Sequence, residues 1–209
     1  MPDLQHLHHH WLHTWNELQH TPALGLYEQL LQAYNEPQRH YHTLQHLAEC
    51  LQLQCESAHL AQRPAEIAIA LWFHDAVYDV KAHDNEARSA DWAAAALQAA
   101  GVSAEVQART HALIMATEHT AVPLAGDAAL LVDIDLAILG AAPTRFAEYE
   151  WQIRQEYAWV PEDVFMAKRH AVLQEFVARL NIYSTAFLHS KLESAARANL
   201  HAMLKIENH

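Results

Sequence analysis

The stretch WFHDAVYD, residues 72–79, places His74 and Asp75 directly after the apolar run AEIAIALWF. A carboxylate in such surroundings is costly unless it is paired, hydrogen-bonded or bound to a cation. Two other apolar stretches are interrupted in the same way. RHYHTLQHLAEC carries His42 and His46 at a four-residue spacing, which predicts one shared helix face. LLVDIDLAILG carries Asp133 and Asp135 among Leu, Val and Ile. Three helices thus offer His, His-Asp and Asp. Imidazole and carboxylate donors in that mixture suit Mn, Fe, Co, Ni or Zn in a site with open positions. Neighbouring residues on a helix point about 100° apart. His74 and Asp75 therefore share an ion only if it sits over the seam between them, as between packed helices.

Abundance of histidine carries little weight by itself. Eighteen histidines placed at random in 209 residues give about one or two pairs at i,i+4. The chain has three: His6/His10, His9/His13 and His42/His46. The carboxylates and the order of the residues are what set His46, His74, Asp75 and Asp135 apart. The N-terminal run HLHHHWLH reads as a solvated helix face.

The elements that must position these groups read as helices throughout. Leu4, Leu7, Trp11, Trp15 and Leu18 repeat at helical spacing over 4–20. Thr21-Pro22 reads as a cap and first turn. A long helix is expected from about Tyr41 to Leu60, and Arg63-Pro64 opens the helix that carries WFHDAVYD. An Ala-rich helix covers about 86–100, and Ser103 caps another running to about His119. AALLVDIDLAILG reads as a helix ended by Gly140. Pro143 and Pro161 start two more, and a last one spans about Ser184 to Leu204. No strand pattern, repeat or linker is evident. The expectation is an all-α, single-domain helical bundle over 1–209. Its metal-binding core would cover about 40–140, with C-terminal helices at about 143–204 packed on it.

Composition narrows the partners. The formal net charge is −12, so no basic stripe exists to neutralise a duplex backbone. A small anionic substrate fits only if a cation reverses the local potential. Cys50 and Cys55 do not form a CxxC pair and read as reduced thiols. No secretory signal and no membrane-spanning run is seen, so a cytoplasmic protein is expected. Trp151, Tyr157 and Trp159 are placed either in the core or at a homodimer face.

The ordered set of YNEPQRHYHTLQHL, WFHDAVYD, DNEARSA, IMATEHT, DIDLAILG and ESAARANL resembles the HD superfamily of metal-dependent phosphohydrolases. It is closest to a bacterial family of HD phosphohydrolases, along almost the whole chain. YHTLQH also resembles a segment of the cyclic-nucleotide phosphodiesterases, in which the first His donates a proton and the second binds metal. These resemblances imply an HD-type helical domain with His46, His74, Asp75 and Asp135 as ligands, Asp133 being the competing choice for the last. They imply His42 as general acid and Glu86 as base or water-orienting group. Either of Asp133 and Asp135 could instead cap a helix, and Glu86 could equally cap the helix that begins near Asn85. His119, and less so His111, could serve a second metal or substrate phosphate. Arg39 and Arg88 could neutralise phosphate or form surface ion pairs. The implied cofactor is one or two divalent ions (Mn, Fe, Co, Ni, Zn or Mg). The implied reaction is hydrolysis of a phosphate ester or anhydride of a nucleotide or related small metabolite. The alternatives are a di-iron oxygenase of HD-like fold and a non-catalytic, metal-stabilised binding module.

Overall fold

The computed structural model describes residues 3–118 and 125–206. Among them there are ten α-helices, three short 3-10 turns and no strand. The helices are α1 (Leu4–Glu17), α2 (Leu26–Ala33), α3 (Leu44–Ser57), α4 (Pro64–Phe73), α5 (Asn85–Ala99), α6 (Ala104–Met115), α7 (Gly126–Asp135), α8 (Pro143–Glu156), α9 (Glu162–Ala178) and α10 (Ala186–Ile206). None is long and apolar enough to cross a membrane. The chain divides into two compact units, Met1–Val132 and Asp133–His209, and the division falls inside α7.

The first unit is built around α4. Ile67 through Phe73 are all buried, as expected of a helix apolar on every side. It packs against α1, α3, α5 and α6. Its N-terminus has Pro64 at the first position and no local side-chain cap. Asp127 supplies the missing acceptors from the first turn of α7: its two oxygens take the N–H groups of Gln62 and Arg63 at 2.7 and 2.9 Å. Negative charge at a helix start is also favoured by the helix dipole.

On α1, Leu7, Trp11 and Trp15 are buried, and Trp11 meets Trp72 edge-on at 5.1 Å. The His-rich face is not wholly solvated. His10 is buried, because its Nδ1 accepts the Trp72 indole N–H at 3.2 Å. Its Nε2–H then donates to Gln54 Oε1 at 3.3 Å. Burial holds His10 below the ordinary histidine range, against the opposing Gln54 bond and helped by the nearby His13 and His6.

The second unit is held by α10. It packs against α9 and against the 3-10 turn Leu136–Gly140, on which α8 also rests. Gly140 was expected to be a helix C-cap. It is needed for close approach instead: an added Cβ would lie 2.7 Å from the Leu192 Cβ and 2.9 Å from the Leu192 carbonyl oxygen. The ESAARANL segment bonds to other parts of this unit. Glu193 accepts the N–H groups of Ile182 and Tyr183, and Asn199 donates to the carbonyls of Leu139 and Ala141. Arg169 on α9 makes a bidentate pair with Glu150 on α8.

Several boundaries differ from the expectations. α2 begins at Leu26, with Gly25 at φ +82° as its N-cap, so Thr21-Pro22 does not start it. α3 begins at Leu44, with Thr43 accepting the Gln45 N–H. His42 therefore precedes the helix, and the His42/His46 spacing is not a helical turn. α4 stops at Phe73 rather than continuing through WFHDAVYD. α6 ends at Met115, short of His119.

Candidate metal centre

His46 lies on the first turn of α3, and His74 is the C-cap of α4. Both are almost completely buried. Because α4 ends at Phe73, its last carbonyls have no helical partner. His74 turns this to use: its Nδ1 lies 2.8 Å from the Leu71 carbonyl oxygen. A carbonyl only accepts, so Nδ1 carries the proton and Nε2 presents its lone pair. A ring fixed in this way by the hydrogen bond of its other nitrogen is the usual arrangement for a metal-binding histidine.

That lone pair faces a close set of donors. His46 Nε2 is 3.1 Å from His74 Nε2. Asp75 Oδ2 is 3.0 Å from His74 Nε2 and 3.4 Å from His46 Nε2. Donors bonded to one ion at about 2.0–2.2 Å, and 90–110° apart, stand roughly 3.0–3.5 Å from each other. The three separations fall in that range, so the donors fit a single small cation. Burial opposes ionisation of Asp75. The imidazoles of His74, His42 and His46 around it outweigh that and hold the carboxyl well below the usual carboxylate range.

The sequence marks Cys50 only as a reduced thiol, and no spacing in it points to more. It is buried, one helical turn after His46, and donor atoms of His46, Cys50 and His74 lie within 4.8 Å of one another in a group that could hold a metal ion. Its sulfur is 3.7 Å from His46 Nδ1 and 3.8 Å from Nε2. Near-equal distances to both nitrogens place it off the Nε2 lone-pair axis. It packs against the imidazole. Cys55 is an exposed free thiol.

The two aspartates of DIDLAILG are separated by their surroundings. Asp133 is buried, and its oxygens accept from the N–H groups of Ser184 and Thr185 and from the Thr185 hydroxyl, at 2.8, 2.7 and 2.6 Å. It acts as the acceptor for the start of α10. Burial raises its pKa, while the Thr185 and Ser184 hydrogen bonds pull the other way. Asp135 is half-buried on the last turn of α7, a helix that runs unbroken from Gly126.

The remaining candidates fall in different places. His42 is half-buried and stacks on the Tyr78 ring, with centroids 4.1 Å apart at 28°. Glu86 is half-buried in the first turn of α5. The N-cap there is Asp84, without a side-chain cap bond. Around it, the DNEARSA segment clasps the chain that follows His74-Asp75. Asn85 exchanges two hydrogen bonds with the Asp79 backbone, and Ser89 takes the Val77 N–H. Arg88 is exposed beside Asp84, and His111 pairs with Asp91 on the surface. Arg39 is fully buried and hydrogen-bonds to protein acceptors. His119 lies outside the described residues. Trp151 and Trp159 are exposed.

The chain matches no family model, no curated protein and no solved structure.

Proposed function

We propose that the chain is a metal-dependent phosphohydrolase of HD type, acting on a phosphate ester or anhydride of a nucleotide or related small metabolite. The observation that carries the reading is the triangle of the buried His46 Nε2 and His74 Nε2 with the half-buried Asp75 Oδ2, its sides 3.0–3.4 Å. Asp135, on the last turn of α7, is the proposed closing donor. Asp133 is assigned to the start of α10, because its oxygens already accept three hydrogen bonds.

When bound, a divalent cation supplies Lewis acidity toward a phosphoryl oxygen and lowers the pKa of water. The protein's own groups do the rest. His74 is held in one tautomer by Leu71, so its orientation needs no adjustment on binding. Asp75 keeps negative charge beside two buried imidazoles, which favours a cation there. His42, held flat on Tyr78, is the proposed acid that protonates the leaving oxygen. Glu86 is the proposed group that orients the attacking water.

Two alternatives draw on the same centre. A di-iron oxygenase would need further ligands such as His111, which here pairs with Asp91 on the surface. A structural metal module would need no separate acid beside the ligands.

The test is metal content of untagged protein, followed by phosphate release from nucleotides and simple phosphomonoesters with Mn²⁺, Co²⁺, Ni²⁺, Zn²⁺ and Mg²⁺. The reading expects one or two ions per chain and metal-dependent release. Stoichiometric metal without release of phosphate or pyrophosphate from any of them overturns it.

A further inference from the structure

The segment that carries His42 and the turn that carries His74 and Asp75 are more than thirty residues apart and neither lies inside a helix. One side chain joins them. Arg39 Nη1 donates to the His42 carbonyl at 3.2 Å and to the Asp75 carbonyl at 2.6 Å. Its Nη2 donates to the Ala76 carbonyl at 3.0 Å, and Nε to Glu36 Oε2 at 3.0 Å. The carbonyls of Asp75 and Ala76 follow the end of α4, where no helical N–H remains to take them. The guanidinium also lies over two rings, 5.3 Å from the Tyr34 centroid and 5.5 Å from that of Tyr78. Tyr78 in turn stacks on His42. The Tyr34 hydroxyl donates to the Trp72 carbonyl, which ties this end of the stack to α4.

We infer that Arg39 is a positioning residue that clamps the His42 segment to the His74-Asp75 turn, through the backbone carbonyls on one side and the Tyr78 ring on the other. The inference rests on the reading of His42 as an acid beside a metal held by His74 and Asp75. It replaces the expectation that Arg39 binds substrate phosphate. An arginine that receives phosphate must present free N–H donors to open space. This one has no exposed side-chain surface, and four of its five N–H groups go to protein acceptors. The role is specific to arginine. A planar fork reaches several carbonyls and stacks between rings at once, whereas an ammonium is a single point charge.

The two roles predict opposite behaviour for Arg39→Lys. Lysine preserves much of a phosphate-binding charge and loses the clamp. The experiment follows the His42 imidazole by NMR in histidine-labelled protein, with His111 as the reference signal. In parallel it measures Co²⁺ affinity, kcat, KM and inhibition by inorganic phosphate. The clamp predicts a shifted or broadened His42 signal, an unmoved His111 signal and kcat lower by about 10- to 100-fold through misplacement. KM and phosphate inhibition should change by less than about twofold, since the charge lost was not on the substrate. An unmoved His42 signal overturns the inference. So does retained kcat with phosphate inhibition weakened tenfold or more, which is the mark of a phosphate ligand. Tyr78→Leu, which removes only the stack, guards against misfolding of the first variant. It should also broaden the His42 signal, and an unchanged signal there overturns the ring half of the clamp. If wild-type protein turns over no phosphate ester, the hydrolase reading fails by itself. The His42 signal in Arg39→Lys then still decides the clamp.

Discussion

Asp75→Asn changes one oxygen to an amide nitrogen and almost nothing in volume. It removes the only anionic donor of the triangle with the two histidines, at 3.0 and 3.4 Å from their nitrogens. Loss of an outer hydrogen-bonding partner of a metal site typically costs 10- to 100-fold in affinity. Loss of a charged ligand is expected to cost at least the upper end, about 100-fold. The consequence is measurable as stability. At a free metal concentration of about 100 times Kd, binding stabilises the folded state by roughly 2.7 kcal/mol. A chain of this size shifts its midpoint by about 2–4 °C per kcal/mol. Wild-type protein should therefore gain about 5–10 °C in Tm on saturation with Co²⁺ or Zn²⁺. The variant, at the same metal concentration, sits near its Kd and should gain only about 1 °C, by the same arithmetic. The assay is a thermal melt across a metal titration, with equilibrium dialysis to count bound ions. An Asp75→Asn protein that keeps the full metal-dependent shift would refute the assignment of Asp75 as a ligand, and with it the geometric argument from the triangle.

Three other substitutions test the surroundings. Gly140→Ala should destabilise the protein by about 1–3 kcal/mol through overpacking against Leu192; an unchanged denaturant midpoint would show that the 136–140 turn yields freely. Asp133→Asn replaces an acceptor by a donor at the start of α10, and should cost about 1–3 kcal/mol. Metal content should survive it, and loss of metal without loss of stability would reverse the assignments of Asp133 and Asp135. His10 has its folded pKa depressed by burial from 6.5, so below that pH the unfolded chain binds a proton that the folded chain refuses. Stability from this group is complete above about pH 6.5 and falls as pH drops toward the folded pKa. Urea melts of His10→Asn should show a shallower loss of stability over that range than wild type, and parallel curves would count against a neutral, buried His10.

The helical character of the chain was legible because it depends on local features. Apolar residues at helical spacing, Ser103 as a cap, Pro143 and Pro161 at helix starts, and the scarcity of glycine all act within a few residues. The metal-competent residues were legible for a related reason. His46 and His74 stand out as polar residues at helix ends with apolar neighbours, and burial of polar groups needs compensation wherever it occurs. What each polar group compensates is a long-range matter. Asp133 and Asp135 are alike in sequence, two residues apart in one apolar run. Only the packing of α10 gives Asp133 three hydrogen-bond donors. His10 belongs to a histidine-rich surface pattern, and only the fold brings Trp72 and Gln54 to its two nitrogens. Gly140 stands where a helix cap would, and only the closeness of Leu192 shows that space sets its identity. Arg39 is one more charged residue in a polar stretch until tertiary folding lays the carbonyls of Asp75 and Ala76 beside it. Local spacing fixed which residues could bind, cap or titrate. Their partners came from chain segments tens of residues away, and hydrogen bonds at 3 Å exist only after those segments have been packed together.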